Sequence, residues 1–248
     1  MFNSLFKSKK NSSHGIYESI HTDMHSHLLP GIDDGSPNLD ASLELISRMM
    51  KLGYKKFITT PHIMWEMYKN TPEIINEKLE LLRSALKTAG MDVEINAAAE
   101  YFLDDHVEKL LSQKEKLLTI HDNLVLVEFS LASQPFNIKE VLFEMTMQGY
   151  QPIIAHPERY VYFEEAKDFY DELKDAGYYF QLNINSLSGY YGRSANTLAQ
   201  YLIKKGYYNL LGSDVHHFRH IEALSNPHIT SPLQKLIENG KIMNPNLF

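Results

Sequence analysis

Cysteine is absent from the 248 residues, which rules out disulfide staples, thiolate-bound zinc and a cysteine nucleophile. Apolar runs are short. None approaches the roughly 18 residues that a membrane-spanning helix needs, so no membrane insertion is expected. Positive charge is in deficit: 24 Lys and Arg face 31 Asp and Glu, a net charge of −7. Without a basic stripe, a nucleic-acid partner has no electrostatic support. Residues 1–18 lack the apolar core of a secretory signal and read as a flexible tail. A cytoplasmic location fits the missing cysteines.

Hydrophobic residues make up 44% of the chain, enough for residues 19–248 to bury one domain-sized core. That stretch is repetitive. An amphipathic segment ends at a glycine, an apolar strand follows, and the strand finishes on polar residues. The unit begins at Gly53, Gly90, Gly149, Gly177 and Gly206, each followed within a few residues by an apolar run. A glycine just past a helix accepts the positive φ of a helix-to-strand turn. Leu39, Leu43, Ile46 and Met50 keep helical spacing, as do Ile75, Leu79, Leu82 and Leu86. Ser36-Pro37 and Thr71-Pro72 mark helix starts. A further strand covers 124–128, the first lies near 20–25, and a last helix is expected around 233–238. Seven strands alternating with helices imply a parallel sheet, closed or nearly closed as a barrel rather than open and doubly wound.

In such barrels the chemistry sits at the C-terminal ends of the strands. Those positions hold His25 and His27, His62, Glu100, Glu128, His156, and Asp214 with His216, while Asp34 joins from the first loop. A His-x-His pair on a strand puts both imidazoles on one side, because side chains alternate. Singly, each residue reads as a cap or a surface group. Their recurrence over six strands argues for a shared site, and nine imidazole or carboxylate ligands would serve two or three divalent ions. A set without thiolates suits Mn²⁺, Fe or Zn²⁺, with availability choosing among them. Arg159, three residues after His156, is the candidate clamp for an anionic substrate. Trp65, Tyr68, Tyr190 and Tyr191 lie on loops of the same face and could stack on an aromatic ring. His217 and His220 flank the last ligand and are weaker candidates for an outer sphere or a proton donor.

His25-x-His27 with Asp33-Asp34-Gly35, Thr60-Pro61-His62, Ala99-Glu100, Glu128, Ala155-His156-Pro157-Glu158-Arg159-Tyr160 and Gly212-Ser213-Asp214-x-His216 resemble the PHP (polymerase and histidinol phosphatase) superfamily. Within it they are most similar to the manganese-dependent bacterial protein-tyrosine phosphatases of capsule and exopolysaccharide operons. The resemblance implies a distorted (β/α)₇ barrel with three metals. By it, His25, His27, Glu100 and Asp214 hold the first ion, and Glu100 bridges to a second held by Glu128 and His156. Asp34, His62 and His216 hold the third. It also implies a phosphotyrosine-protein substrate, an autophosphorylating bacterial tyrosine kinase. One departure stands out. These phosphatases usually carry an arginine about five residues past the last His, where this chain has Ile221, and Arg219 is the nearest substitute.

The chemistry follows from the ligands as well. A metal-bridging water ionises near neutral pH to a positioned hydroxide, while cations and an Arg neutralise the phosphoryl oxygens. Such a site sets the reaction class more firmly than the substrate. A small-molecule phosphomonoesterase such as histidinol phosphatase, or a phosphodiesterase, uses the same ligands. An amidohydrolase ranks lower, because no lysine stands at a strand end to bridge metals. A kinase-binding barrel without turnover ranks lower too, since the ligand set is complete. A homo-oligomer is compatible with the sequence.

Overall fold

The computed structural model describes residues 14–248. The last residues of the expected tail belong to a helix, α1 (His14–Ile20), whose Tyr17 and Ile20 are buried. The tail reading fails there because those two side chains anchor the segment, and Tyr17 donates its hydroxyl to the Leu224 carbonyl (2.6 Å). Residues 1–13 lie outside the described region.

Among the described residues, nine short strands occupy the seven expected positions. The first sheet pairs β1 (Thr22–Asp23), β2 (Lys56–Thr59) and β4 (Glu94–Ala97). The second runs β3 (His62–Ile63), β5 (Glu100–Phe102), β6 (Leu124–Glu128), β7 (Gln151–Ala155), β8 (Tyr179–Asn183) and β9 (Tyr208–Gly212). Every strand pairing is parallel. Two expected strands are each cut in two, between Thr59 and His62 and between Ala97 and Glu100. Pro61 has no N–H to donate, so the ladder lapses there. Thr60 N donates instead to Ser26 O (2.7 Å), and the strand resumes against β5 with His62 opposite Glu100. The chain after β1 crosses to the last strand. Asp214 N donates to His25 O (2.7 Å), His27 N donates to Val215 O (2.9 Å), and Ser26 bridges Val215 in parallel. First and last positions are thereby joined.

The helices are α2 (Leu39–Leu52), α3 (Pro72–Thr88), α4 (Asp105–Ser112), α5 (Ile138–Met147), α6 (Asp168–Asp175), α7 (Arg193–Lys205), α8 (Phe218–Leu224) and α9 (Pro227–Glu238). In α3 the sequence pattern holds throughout: Thr71 caps it, Pro72 opens it, and Ile75, Leu79, Leu82 and Leu86 are buried. In α2 the cap is Asn38 rather than Ser36, and the buried stripe is Leu45, Ile46, Met49 and Leu52. The expected stripe through Leu39 and Leu43 lies at its edge. The last helix starts six residues earlier than expected. All five unit glycines have positive φ, so the repeat reflects a real turn. Alternate strand residues then part company. Phe57, Val125, Val127, Ile154 and Leu211 pack under the helices, whereas Ile58, Leu126, Ile153 and Leu210 fill a separate inner cluster with Met24 and Leu247.

Candidate metal centre

Strand alternation carries the inner face upward into the site. Two residues past Leu126 stands Glu128, two past Ala98 stands Glu100, and four past Leu210 stands Asp214. His156 is out of phase by one residue with the inner Ile153 and Ala155. Its left-handed backbone (φ 31°) accompanies the turn into the loop, and its Nε2 lies 3.0 Å from Glu100 Oε1. Asp214 is left-handed too (φ 51°). For non-glycine residues each such conformation costs about 1–3 kcal/mol and persists because surrounding bonds hold it.

All nine expected ligands meet here. His25 Nε2 is 3.2 Å from Glu100 Oε2 and 3.3 Å from Asp214 Oδ1. His27 Nε2 is 3.4 Å from the same two oxygens and from His25 Nε2. Five of the six edges of a tetrahedron of N and O donors are thus 3.2–3.4 Å. The centre of such a tetrahedron lies about 2.0 Å from each vertex, an ordinary metal–ligand distance. Beside it, His62 Nδ1 is 3.2 Å from Glu100 Oε2 and 2.9 Å from Glu128 Oε1. On the outer side, Asp34 Oδ1 is 3.4 Å from both His62 Nε2 and His216 Nε2. His62 therefore turns one nitrogen to each of two ligand groups. The resemblance placed it only with Asp34 and His216.

Three histidines have their lone pairs aimed inward by an acceptor behind the ring. His25 Nδ1 donates to Gln181 Oε1 (2.8 Å), His27 Nδ1 to Asp33 Oδ2 (2.8 Å) and His216 Nδ1 to the Asp214 carbonyl (3.0 Å). With the proton on Nδ1, Nε2 is free to ligate. Two glycines let the backbone come this close. A Cβ on Gly35 would sit 2.3 Å from His27 O, and one on Gly212 would sit 2.6 Å from His25 Cβ. Several buried atoms lack a hydrogen-bond partner, among them Glu100 Oε2, Glu128 Oε1 and His62 Nδ1. Buried polar atoms without partners are costly, and a cation bound among them would satisfy all three.

The electrostatics agree. Burial alone would raise the Glu100 carboxyl, but His25, His156 and His27 around it hold it well below the carboxylate range. Asp214 is likewise held well below, burial being outweighed by His25 and His216. Burial would lower His62, yet Glu128 lifts it to about 9. His27 rises well above its ordinary value against its own burial, with Asp33 the main cause. The carboxylates thus retain protons on nearby rings, the charge a divalent ion would supply instead.

A cavity of about 470 Å³ opens over the cluster. Arg159 lines it, its Nη1 donating to Asp214 Oδ2 (2.9 Å) and its guanidinium lying 4.3 Å over the Tyr191 ring. Neighbouring Glu158 is no partner for it, being fully buried and accepting from Asn183 N, Ser186 and Tyr208. Tyr68 and Tyr191 line the cavity. Trp65 does not, because its ring stacks on His106 at 3.8 Å. Nor does Tyr190, which packs edge-on to Tyr191 and His220. Arg219 is exposed on α8 and lies outside the cavity wall, and Ile221 packs into the core. His217 and His220 line the cavity instead, and Met64, Met67, Phe102 and Leu131 give it an apolar wall.

Sequence reasoning missed the orienting residues Gln181, Asn183 and Asp33. Asn183 Nδ2 donates to Asp214 Oδ2 (2.8 Å). Gln181 and Asn183 come from β8, the position that contributes no ligand, and a search for His, Asp and Glu passes over amides.

Known proteins resemble this chain over most of its length. YwqE of Bacillus subtilis, a tyrosine-protein phosphatase, is 28% identical over 198 residues, covering 79% of this chain and 78% of that one. The tyrosine-protein phosphatase CpsB of Streptococcus pneumoniae is 30% identical over 201 residues, covering 78% and 82%. A solved structure from work on those two proteins, described as metal-dependent tyrosine phosphatases, aligns at TM-score 0.77 and 25% identity, covering 91% of this chain and 94% of its own. The family model for capsular polysaccharide synthesis, CpsB/CapC, matches residues 21–238, from the start of β1 to the end of α9, and the chain belongs to that family.

Proposed function

We propose that this chain is a metal-dependent protein-tyrosine phosphatase, and the observation that carries the reading is the tetrahedron of His25, His27, Glu100 and Asp214 donors with further ligands on either side. His62, Glu128 and His156 around Glu100 would hold a second ion, and Asp34 with His216 and His62 a third. Divalent ions in such a set activate water and offset phosphoryl charge. Manganese is the favoured ion for these oxygen and imidazole donors, with iron or zinc able to replace it.

The chain's own residues supply the rest. Arg159 is the sole Lys or Arg among the described residues lining the cavity. Its planar donors suit the phosphoryl oxygens, on which charge spreads in the transition state. The wall of Met64, Met67, Phe102 and Leu131 suits an aromatic ring entering beside the polar cluster, which favours phosphotyrosine over a small hydrophilic phosphate ester. The phosphoprotein we favour is a bacterial tyrosine kinase of polysaccharide export, which would place the reaction in the cytoplasm. The test compares a phosphotyrosine peptide, a phosphoserine peptide and histidinol phosphate on a metal-quantified sample. The phosphotyrosine peptide should have the highest kcat/KM. A higher value for histidinol phosphate would move the reading to a small-molecule phosphatase.

A further inference from the structure

His220 is seven per cent exposed yet lines the cavity beside Tyr191, Arg159 and His216. The backbone N–H of His216 donates to its Nδ1 (3.1 Å). An imidazole nitrogen that accepts carries a lone pair, so the neutral ring has its proton on Nε2. His217 stacks on the ring at 4.1 Å, Tyr190 meets it edge-on at 5.0 Å, and Asn185 Nδ2 donates to its backbone carbonyl (3.2 Å). The ring is therefore held in place. Its Nε2–H has no hydrogen-bond partner among the described residues.

We infer that His220 is a substrate-binding residue that donates its Nε2–H to a phosphoryl oxygen, opposite or beside the one gripped by Arg159. The inference rests on the phosphomonoesterase reading above. A phosphoryl group presents three non-bridging oxygens, each an acceptor, and Arg159 is one cation already shared with Asp214. A neutral donor adds a hydrogen bond at no cost in repulsion with the guanidinium or with cations in the cluster. Held by the backbone of a candidate ligand, His220 also couples the placement of His216 to that of the substrate.

Two substitutions in the metal-loaded full chain separate this role from packing. In His220→Asn the side-chain oxygen falls near Nδ1, so the His216 N–H keeps its acceptor while the cavity donor is lost. In His220→Gln the terminal amide nitrogen falls near Nε2, so the cavity donor is kept. Inorganic phosphate binding by calorimetry should weaken about 10-fold in His220→Asn, the scale of one hydrogen bond to a charged group. Its kcat/KM on a phosphotyrosine peptide should drop up to about 100-fold. His220→Gln should recover most of both, with equal metal content in all three proteins. Wild-type behaviour in His220→Asn, or equal losses in both variants, would overturn the assignment. If the wild type turns over no phosphomonoester, the enzymatic reading fails, yet the Asn and Gln difference in phosphate binding still decides the donor. A wild type that binds no phosphate overturns it outright.

Discussion

Leu126 and Glu128 stand two residues apart on one strand and on one face, yet they belong to layers with opposite energetics. The lower layer is an apolar cluster that includes Met24, Ile58, Leu126, Ile153 and Leu210. The upper layer crowds five histidines and four carboxylates, all buried but Asp34 and His216, and leaves several of their atoms unpaired. Each buried apolar side chain below contributes about 1.5–3 kcal/mol toward folding. Above, burial is unfavourable until protons or cations balance the carboxylates. The lower layer thus gives the upper one a rigid floor, and the upper one is tuned for binding rather than for stability.

The largest effect should come from the centre of the upper layer. Glu100→Ala removes the carboxylate shared by His25, His27, His62 and His156. Metal content and phosphatase activity should fall together, activity by more than about 100-fold, the upper range for merely outer partners of a metal. Elemental analysis alongside kinetics checks this, and full activity in a metal-poor mutant would break the contrast between layers. Below, Ile153→Ala should do the reverse. It should cost about 2–5 kcal/mol of unfolding free energy in urea, while metal stoichiometry at low temperature stays at the wild-type level.

Chelation probes the balance between proton and cation. With His62 lifted to about 9 from 6.5, the folded metal-free protein holds a proton that the unfolded chain releases. That stabilisation, up to about 3 kcal/mol, is fully present below pH 6.5 and is lost as pH rises through about 9. A bound ion takes the place of that proton. The melting-temperature gap between loaded and chelated protein should therefore widen from pH 6.5 to 9, and a gap that narrows would contradict the arrangement. The smallest effect concerns the junction of the layers, where Gln181 holds His25 from behind. Gln181→Ala should weaken metal affinity about 10–100-fold in competition titrations, with a smaller change in melting temperature than Ile153→Ala.

The cluster of His, Asp and Glu was legible because strand period, unit repeat and residue type all pointed the same way. Glycines at 53, 90, 149, 177 and 206 marked the turns, and the candidate residues followed where the strands ended. The break at Thr60-Pro61 was visible as a proline, but its effect on strand pairing was not, since that depends on which neighbour the first strand chooses. Trp65 shows the limit from the other side. It lies on a loop of the active face, and only stacking on the ring of His106, at the start of α4, takes it out of the cavity.

By itself the sequence determined the alternation of seven strands with helices and the side-chain chemistry of the site, because both follow from local periodicity and residue type. Tertiary structure alone decided which nitrogen of each histidine faces the cluster, that amides from β8 stand behind the ligands, and that Arg219 stays outside while His220 lines the cavity. Those outcomes rest on contacts between residues far apart in the chain, such as His25 Nδ1 donating to Gln181, 156 positions away. Hydrogen bonds of that kind have no signature in local pattern, since each partner alone is an ordinary polar residue.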